Sequence, residues 1–233
     1  MYYPYYYDWT MLLLIPGMIL AMYAQYKINS VYSKYSQVAS SRRITGAEAA
    51  AILLRSNGVT GVSIQMVQGK LSDHFDPKKK VLALSSDVYQ GFSLASLAVA
   101  AHETGHALQH HEGYKPLAIR SAIVPVAQFG STLAIPLCFI GMFVSMYLVH
   151  IGIALFAGVV LFQLITLPVE FNASNRAIAM LEREGFVQQN EVSGTQAVLN
   201  AAALTYVAAL ITGILQLLRL WLIYGNRNQR RNR

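Results

Sequence analysis

His102, Glu103 and His106 stand in the order H-E-x-x-H, and helix geometry says what that order can do. Residues four apart lie one above the other on a helix face, so both imidazoles reach a single ion. Zinc accepts neutral imidazole nitrogen readily. Glu103 is rotated about 100° from His102 around the axis, which sets its carboxylate beside such an ion rather than on it. That place suits a general base acting on metal-activated water. The plain alternative is a pair of surface histidines on an ordinary helix. The flanking residues weigh against it: 93–101 contains no Gly or Pro and is rich in Ala and Leu, which are good helix formers. Ser93 can cap the start, and Gly113 and Pro116 close the helix near His110 or His111.

A catalytic zinc takes three protein ligands, and the motif supplies two. The metzincin pattern needs Gly seven residues and His ten residues after the first His; Gln109 and Glu112 occupy those positions. Glu170 is the better third ligand. It follows directly on an apolar run, where a charge without a task is costly. Glu182, Glu184 and Glu191 read as solvated helix faces. Three further groups are candidates around the ion. His110, two turns beyond His102, drifts about 80° round the axis and reaches the ligands only as a supporting group. His74, between Asp73 and Asp76, is a candidate for the cleft. Arg176 and Tyr114 are candidates for stabilising an oxyanion.

The elements that must position these residues follow from hydropathy. The chain is 55% hydrophobic and 12% charged, against about 25% charged in ordinary soluble domains. No Asp, Glu, Lys or Arg occurs over 9–26, 121–169 or 192–218. A spanning helix needs about 20 apolar residues, so four spans are expected, at 9–28, 121–144, 147–168 and 198–223. Trp9 and the tyrosines before it form an interfacial belt. No basic stretch precedes the first run, so it reads as a retained anchor rather than a cleaved signal.

The expected division is a membrane anchor over 1–28, a polar domain with the motif helix over 29–120, two transmembrane helices over 121–168, a segment with the third ligand over 169–197, a fourth span over 198–224 and a basic tail, disordered, over 225–233. The fold class is α+β: a small metalloprotease domain combined with a bundle of about four transmembrane helices. Within the polar domain, Thr45 and Glu48 make a capping box. Residues 62–67 and 81–84 read as strands, and Asp76-Pro77 as a turn. The spans at 121–144 and 147–168 lead out and back, which puts 102–106 and 170 on one side of the bilayer.

The net charge is +7, yet no aromatic-basic recognition motif accompanies it, which excludes a nucleic-acid partner. Thirteen of the eighteen Lys and Arg lie in 27–120 and 170–197, and by the positive-inside rule these segments are cytoplasmic. The five basic residues of 219–233 stand against that rule. The single cysteine, Cys138, excludes an intramolecular disulfide and reads as a small core residue.

His102-Glu103-Thr104-Gly105-His106, a pair of membrane helices, and then Glu170-Phe171-Asn172-Ala173-Ser174-Asn175-Arg176-Ala177 resemble the HtpX and CAAX-prenyl-protease type of membrane gluzincin. There the third ligand is the Glu of an E-x-x-A-D motif; here Ser174 replaces the Asp. Asp73-His74-Phe75-Asp76-Pro77, the strand after it and the motif helix are similar to the YugP-like group of bacterial neutral zinc metallopeptidases, over nearly the whole chain. The resemblance implies a zincin-like fold, one zinc per chain, and Ser174, Asn175 and Arg176 as residues around the ligands. It also implies that Val81, Leu82, Ala83, Leu84 and Ser85 bind an extended substrate as an added strand. The activity so implied is that of an integral membrane zinc metalloendopeptidase with Glu103 as base, acting on polypeptides that include membrane proteins. The other functional class is a non-catalytic metal-binding membrane scaffold or sensor. Glu103 discriminates between them, because a structural site needs no base. A transporter is disfavoured, since transport sites sit among the spans and this motif precedes them.

Overall fold

The computed structural model describes residues 9–224. The tyrosines expected in an interfacial belt and the basic segment 225–233 lie outside the described residues; Trp9 is exposed. The protein is mostly helical with one small sheet. After a 3-10 turn at Trp9–Leu13 come α1 (Leu14–Tyr35), α2 (Gly46–Ser56), β1 (Ser63–Val67), β2 (His74–Asp76), β3 (Val81–Ser85), the short α3 (Ser86–Tyr89), α4 (Leu94–His111), α5 (Lys115–Val144), α6 (Met146–Arg183) and α7 (Gln189–Tyr224). Among the described residues, four helices are long and apolar enough to cross a membrane: Trp9–Tyr35, Lys115–Val144, Met146–Arg183 and Gln189–Tyr224.

The chain forms two compact units. The first comprises 9–23, 120–165 and 206–224 of the described residues. Here α5 and α6 turn back on one another through Ser145 alone, whose hydroxyl accepts from the N–H of Tyr147 at 3.3 Å. Glycines let the two backbones approach. A Cβ at Gly130 would stand 2.7 Å from the Leu155 carbonyl, and one at Gly141 would stand 2.6 Å from the Val149 nitrogen. Without a hydrophobic drive between helices in lipid, such close van der Waals packing is the main source of association. Pro125 and Pro136 lie inside α5 without ending it. Cys138 is buried in this hairpin.

The second unit comprises Ala24–Ile119 and Thr166–Thr205. Thr45 and Glu48 form the capping box of α2, with both reciprocal bonds made. That helix buries Ala49, Ala50, Leu53 and Leu54 against a core that includes Leu82, Leu84, Leu97, Leu181 and Val198. Ser93 caps α4 by accepting from Ser96 N–H at 3.1 Å. The α4 helix ends at His111 with Gly113 at φ +67°. Pro116, expected to help close α4, sits instead in the first turn of α5, where its missing N–H costs nothing.

Two expectations need correction. The sheet has three strands, not two, in the order β1-β3-β2. The Asp76 carboxylate does make the expected turn, accepting from Lys78 and Lys79 N–H at 2.9 and 3.0 Å. The three residues before that turn form β2, too short to show a period of two. Second, Val81–Ser85 is the central strand. It pairs in parallel with all of β1 and, at 81–83, antiparallel with β2. The Ser85 N–H is taken by Asp73 at 2.7 Å. At 81–83 the strand is hydrogen-bonded on both edges and leaves no free main-chain groups, which argues against the expected strand addition at Val81, Leu82 and Ala83; Leu84 and Ser85 lie beyond the β2 pairing.

Helix α6 runs for 38 residues, about 57 Å at 1.5 Å per residue, whereas a bilayer core takes up about 30 Å. Pro168, where the expected span at 147–168 ends, lies inside the helix. Glu170 therefore rides on the same continuous helix as the apolar run before it.

Candidate metal centre

The motif helix buries most of its length, including Glu103, Thr104, Gly105, His106 and Gln109. Its neighbour is the stretch of α6 around Ala173, and the contact is made at Gly105. A Cβ there would stand 2.8 Å from the Ala173 carbonyl oxygen, so the residue between the two histidines must be glycine for the helices to meet. Replacing Gly105 by Ala is expected to push α6 away from α4, costing about 1–3 kcal/mol as overpacking does and loosening any ion shared between the helices. Thermal unfolding beside a metal titration of the variant checks this. Unchanged values in both would mean that the approach is not tight.

The approach brings three ligand atoms together. His102 Nε2 and His106 Nε2 lie 3.2 and 3.5 Å from the same oxygen, Oε2 of Glu170. The candidate ligand atoms of the three residues all fall within 4.8 Å of one another. The imidazoles meet edge to face, with centroids 4.8 Å apart. Ligands held 2.0–2.1 Å from one tetrahedral ion stand about 3.3 Å apart, so two of the separations already fit. Glu170 is only 2% exposed, and a carboxylate so buried needs positive partners. The donor set, two imidazoles and one carboxylate, is the one that suits zinc. Burial by itself disfavours an imidazolium at His106. The Glu170 and Glu103 carboxylates outweigh that effect, aided by the bond to Gln109, and hold its pKa above the ordinary histidine value.

The other nitrogen of each imidazole is also engaged. Ser174 Oγ lies 3.2 Å from His102 Nδ1, and Gln109 Oε1 lies 3.0 Å from His106 Nδ1. Ligating histidines generally use their second nitrogen in this way, which sets the ring orientation. Glu103 is 9% exposed, lies on α4 between the two histidines in sequence and stands outside the three-ligand group.

The remaining sequence candidates fall away from the three ligands. Asn175 is exposed, having rotated off the face that carries Ser174 and Glu170. His74 is exposed on β2, with Nδ1 2.8 Å from the Ser72 carbonyl. His110 is exposed and sets its ring against Phe75, centroids 5.8 Å apart, so it supports the sheet edge rather than a ligand. Arg176 pairs with Glu112 at 2.8 Å, donates from Nε to Asn172 Oδ1 at 2.8 Å and covers the Tyr114 ring. Its guanidinium is thus committed to this cluster, and Tyr114 with it. A cavity of about 700 Å³ lined by Tyr32, Ser36, Lys70, Asp87 and Phe92, among others, includes none of the three ligands.

Gln109 and Asn172 escaped the sequence reading. The available signal for Gln109 was its place three residues after His106, on the same helix face. Nothing in the sequence marks Asn172 as its partner.

Residues 10–225 match the family described as "Putative neutral zinc metallopeptidase". The chain is 48% identical to "Putative membrane protease YugP" of Bacillus subtilis (strain 168) over 216 residues, 92% of this chain and 96% of that protein. No solved structure matches the chain significantly. With the match spanning all but the two ends of the chain, this protein belongs to the neutral zinc metallopeptidase family.

Proposed function

We propose that this protein is an integral membrane zinc metalloendopeptidase with a zincin-like catalytic unit. The observation that carries the reading is the convergence of His102 Nε2 and His106 Nε2 on one Glu170 oxygen, with Glu103 buried alongside. His102, His106 and Glu170 would hold one zinc. When bound, the ion supplies a Lewis acid that polarises the scissile carbonyl and acidifies water. Glu103 takes a proton from the attacking water and hands it to the departing amine nitrogen. Ser174 and Gln109 keep the two imidazoles turned toward the ion. Burial of the site limits competing water and strengthens each of these interactions.

On this reading 1–28 is an anchor, 29–120 and 169–197 build the catalytic unit, and 121–168 and 198–224 are spans. The excess of Lys and Arg in 27–120 and 170–197 supports a cytoplasmic catalytic unit. Polypeptides are the substrates. Glu170 lies one residue beyond the long uncharged stretch 121–169, about one and a half Å along the helix, which favours substrates presented at the bilayer surface. Such substrates predict faster cleavage of a membrane-anchored peptide than of its soluble copy; equal rates would remove the preference. With β3 paired on both edges at 81–83, an extended chain would be added at an outer edge of the sheet, along β1 or β2.

The test is zinc content and peptide hydrolysis of the detergent-purified protein before and after chelation. Loss of activity on chelation and its return with about one equivalent of zinc support the reading. Activity indifferent to the chelator would end it. The site also predicts a pH dependence. A proton at His106 competes with zinc, and its pKa is raised. Zinc affinity should therefore begin to fall, on acidification, above the ordinary histidine value of about 6.5. The apo protein carries the opposite sign: this group's stabilisation is full below the unfolded-state pKa and is lost as pH rises through the raised one. Chelator competition across pH, with unfolding of the apo protein beside it, checks both signs.

A further inference from the structure

We infer that Gln109 is a positioning residue that locks His106 into one tautomer, and that Asn172 and Arg176 lock Gln109. The inference rests on the zinc reading for its consequence, though not for its geometry. Gln109 is completely buried. Its Nε2 lies 2.9 Å from the Val169 carbonyl and 2.9 Å from Asn172 Oδ1, and its Oε1 faces His106 Nδ1 at 3.0 Å.

Amide groups look alike end for end, but two invariant groups remove the ambiguity here. A backbone carbonyl only accepts, so the Gln109 atom facing Val169 must be the amide nitrogen. A guanidinium only donates, so the Asn172 atom 2.8 Å from Arg176 Nε must be the carbonyl oxygen. Both amides are thereby oriented. Gln109 Oε1 is left against His106 and can only accept, so His106 Nδ1 must carry the hydrogen. Its Nε2 lone pair then points to the side where Glu170 lies. Arg176 is itself anchored by Glu112 at 2.8 Å and by the Tyr114 ring. The cluster that the sequence suggested for an oxyanion thus forms the far end of a chain running Arg176–Asn172–Gln109–His106.

His102 Nδ1 has no such lock. Its Nδ1 faces the Ser174 hydroxyl, which can rotate and either donate or accept. The two imidazoles are therefore unequal at Nδ1: that of His106 faces a partner that only accepts, whereas that of His102 faces one that can do either, and the Glu170 carboxylate lies 3.2 Å from His102 Nε2.

The experiment uses the full-length protein in detergent with 15N-labelled histidine. It compares wild type, Gln109→Met, Asn172→Leu, Asn172→Asp and Arg176→Lys. Gln109→Met fills nearly the same volume without polar atoms, so the fold is retained; an unchanged unfolding midpoint for Asn172→Asp, which keeps the acceptor, provides a second folded variant. In the metal-free wild type, at a pH high enough for the ring to be neutral, His106 should carry its hydrogen on Nδ1. In Gln109→Met both tautomers should appear, and zinc should bind about 10–100-fold more weakly, the usual effect of an outer partner; Asn172→Leu, which leaves Gln109 Nε2 the Val169 carbonyl alone, should move both readouts the same way by less. Asn172→Asp should keep the wild-type tautomer and affinity, and Arg176→Lys should fall between. A His106 tautomer unaltered in Gln109→Met overturns the lock, as does a mixed tautomer in the wild type. A tautomer change with unaltered zinc affinity overturns the link to the metal. Absence of zinc binding by the wild type would sink the peptidase reading, whereas the tautomer measurement on the metal-free protein would still decide for or against the lock.

Discussion

Glu103→Gln should keep its zinc and lose its catalysis. Gln occupies the same volume and Glu103 stands outside the group of three candidate ligands, so the group proposed to hold the ion is untouched. What disappears is the carboxylate proposed as proton acceptor. General-base contributions run to about 10²–10⁴-fold, and turnover should fall by that amount with little change in zinc stoichiometry. The measurement is kcat with metal analysis on the same preparation. Because the residue is 9% exposed, bulk buffer has poor access, and small external bases should restore little. A variant as active as wild type would transfer the protein to the scaffold or sensor class, in which two histidines and a carboxylate suffice.

Glu170→Gln should do the reverse and lose the ion first. Glu170 supplies the one carboxylate of the three ligand residues, and its Oε2 serves both histidines at 3.2 and 3.5 Å. Zinc affinity should fall by more than the roughly 10–100-fold that an outer partner commands. A second readout separates this from a general disturbance of the fold. In the metal-free protein His106 is held above the ordinary histidine pKa, although burial opposes it, by its bond and charge contacts with Glu170 and by Glu103. Removing the Glu170 charge leaves burial dominant, so the His106 pKa should drop. Zinc loss without that drop would mean that the helices had parted; a drop without zinc loss would mean that Glu170 is not a ligand.

These two variants depend on different kinds of information. The separation between His102 and His106 is local, because a helix of any context puts residues four apart on one face. The caps at Thr45 and Ser93, made as expected, are equally local, since each involves a bond spanning three residues. The apolar runs that become α5, α6 and α7 are visible because a membrane-length segment needs only length and composition.

The tertiary structure decided everything that required two distant segments to meet. That Gly105 touches Ala173 depends on helix packing, and a glycine within H-E-x-x-H does not announce its neighbour. β3 became central only because three residues at 74–76 pair along it, too few to leave a pattern of their own. The continuation of α6 through Glu170 to Arg183 was hidden because polarity changes at the end of the apolar run while helical backbone bonding does not. The same lesson applies to Arg176 and Gln109: their chemistry was readable, but their partners were not. The sequence by itself determined a pair of histidines spaced for one ion, a carboxylate beside them and four membrane-length apolar runs, because periodicity and hydropathy act over neighbouring residues. The approach of Glu170 and the hydrogen-bond partners of His106 belong to the tertiary structure, because close packing and buried hydrogen bonds exist only once α4 and α6 lie against each other.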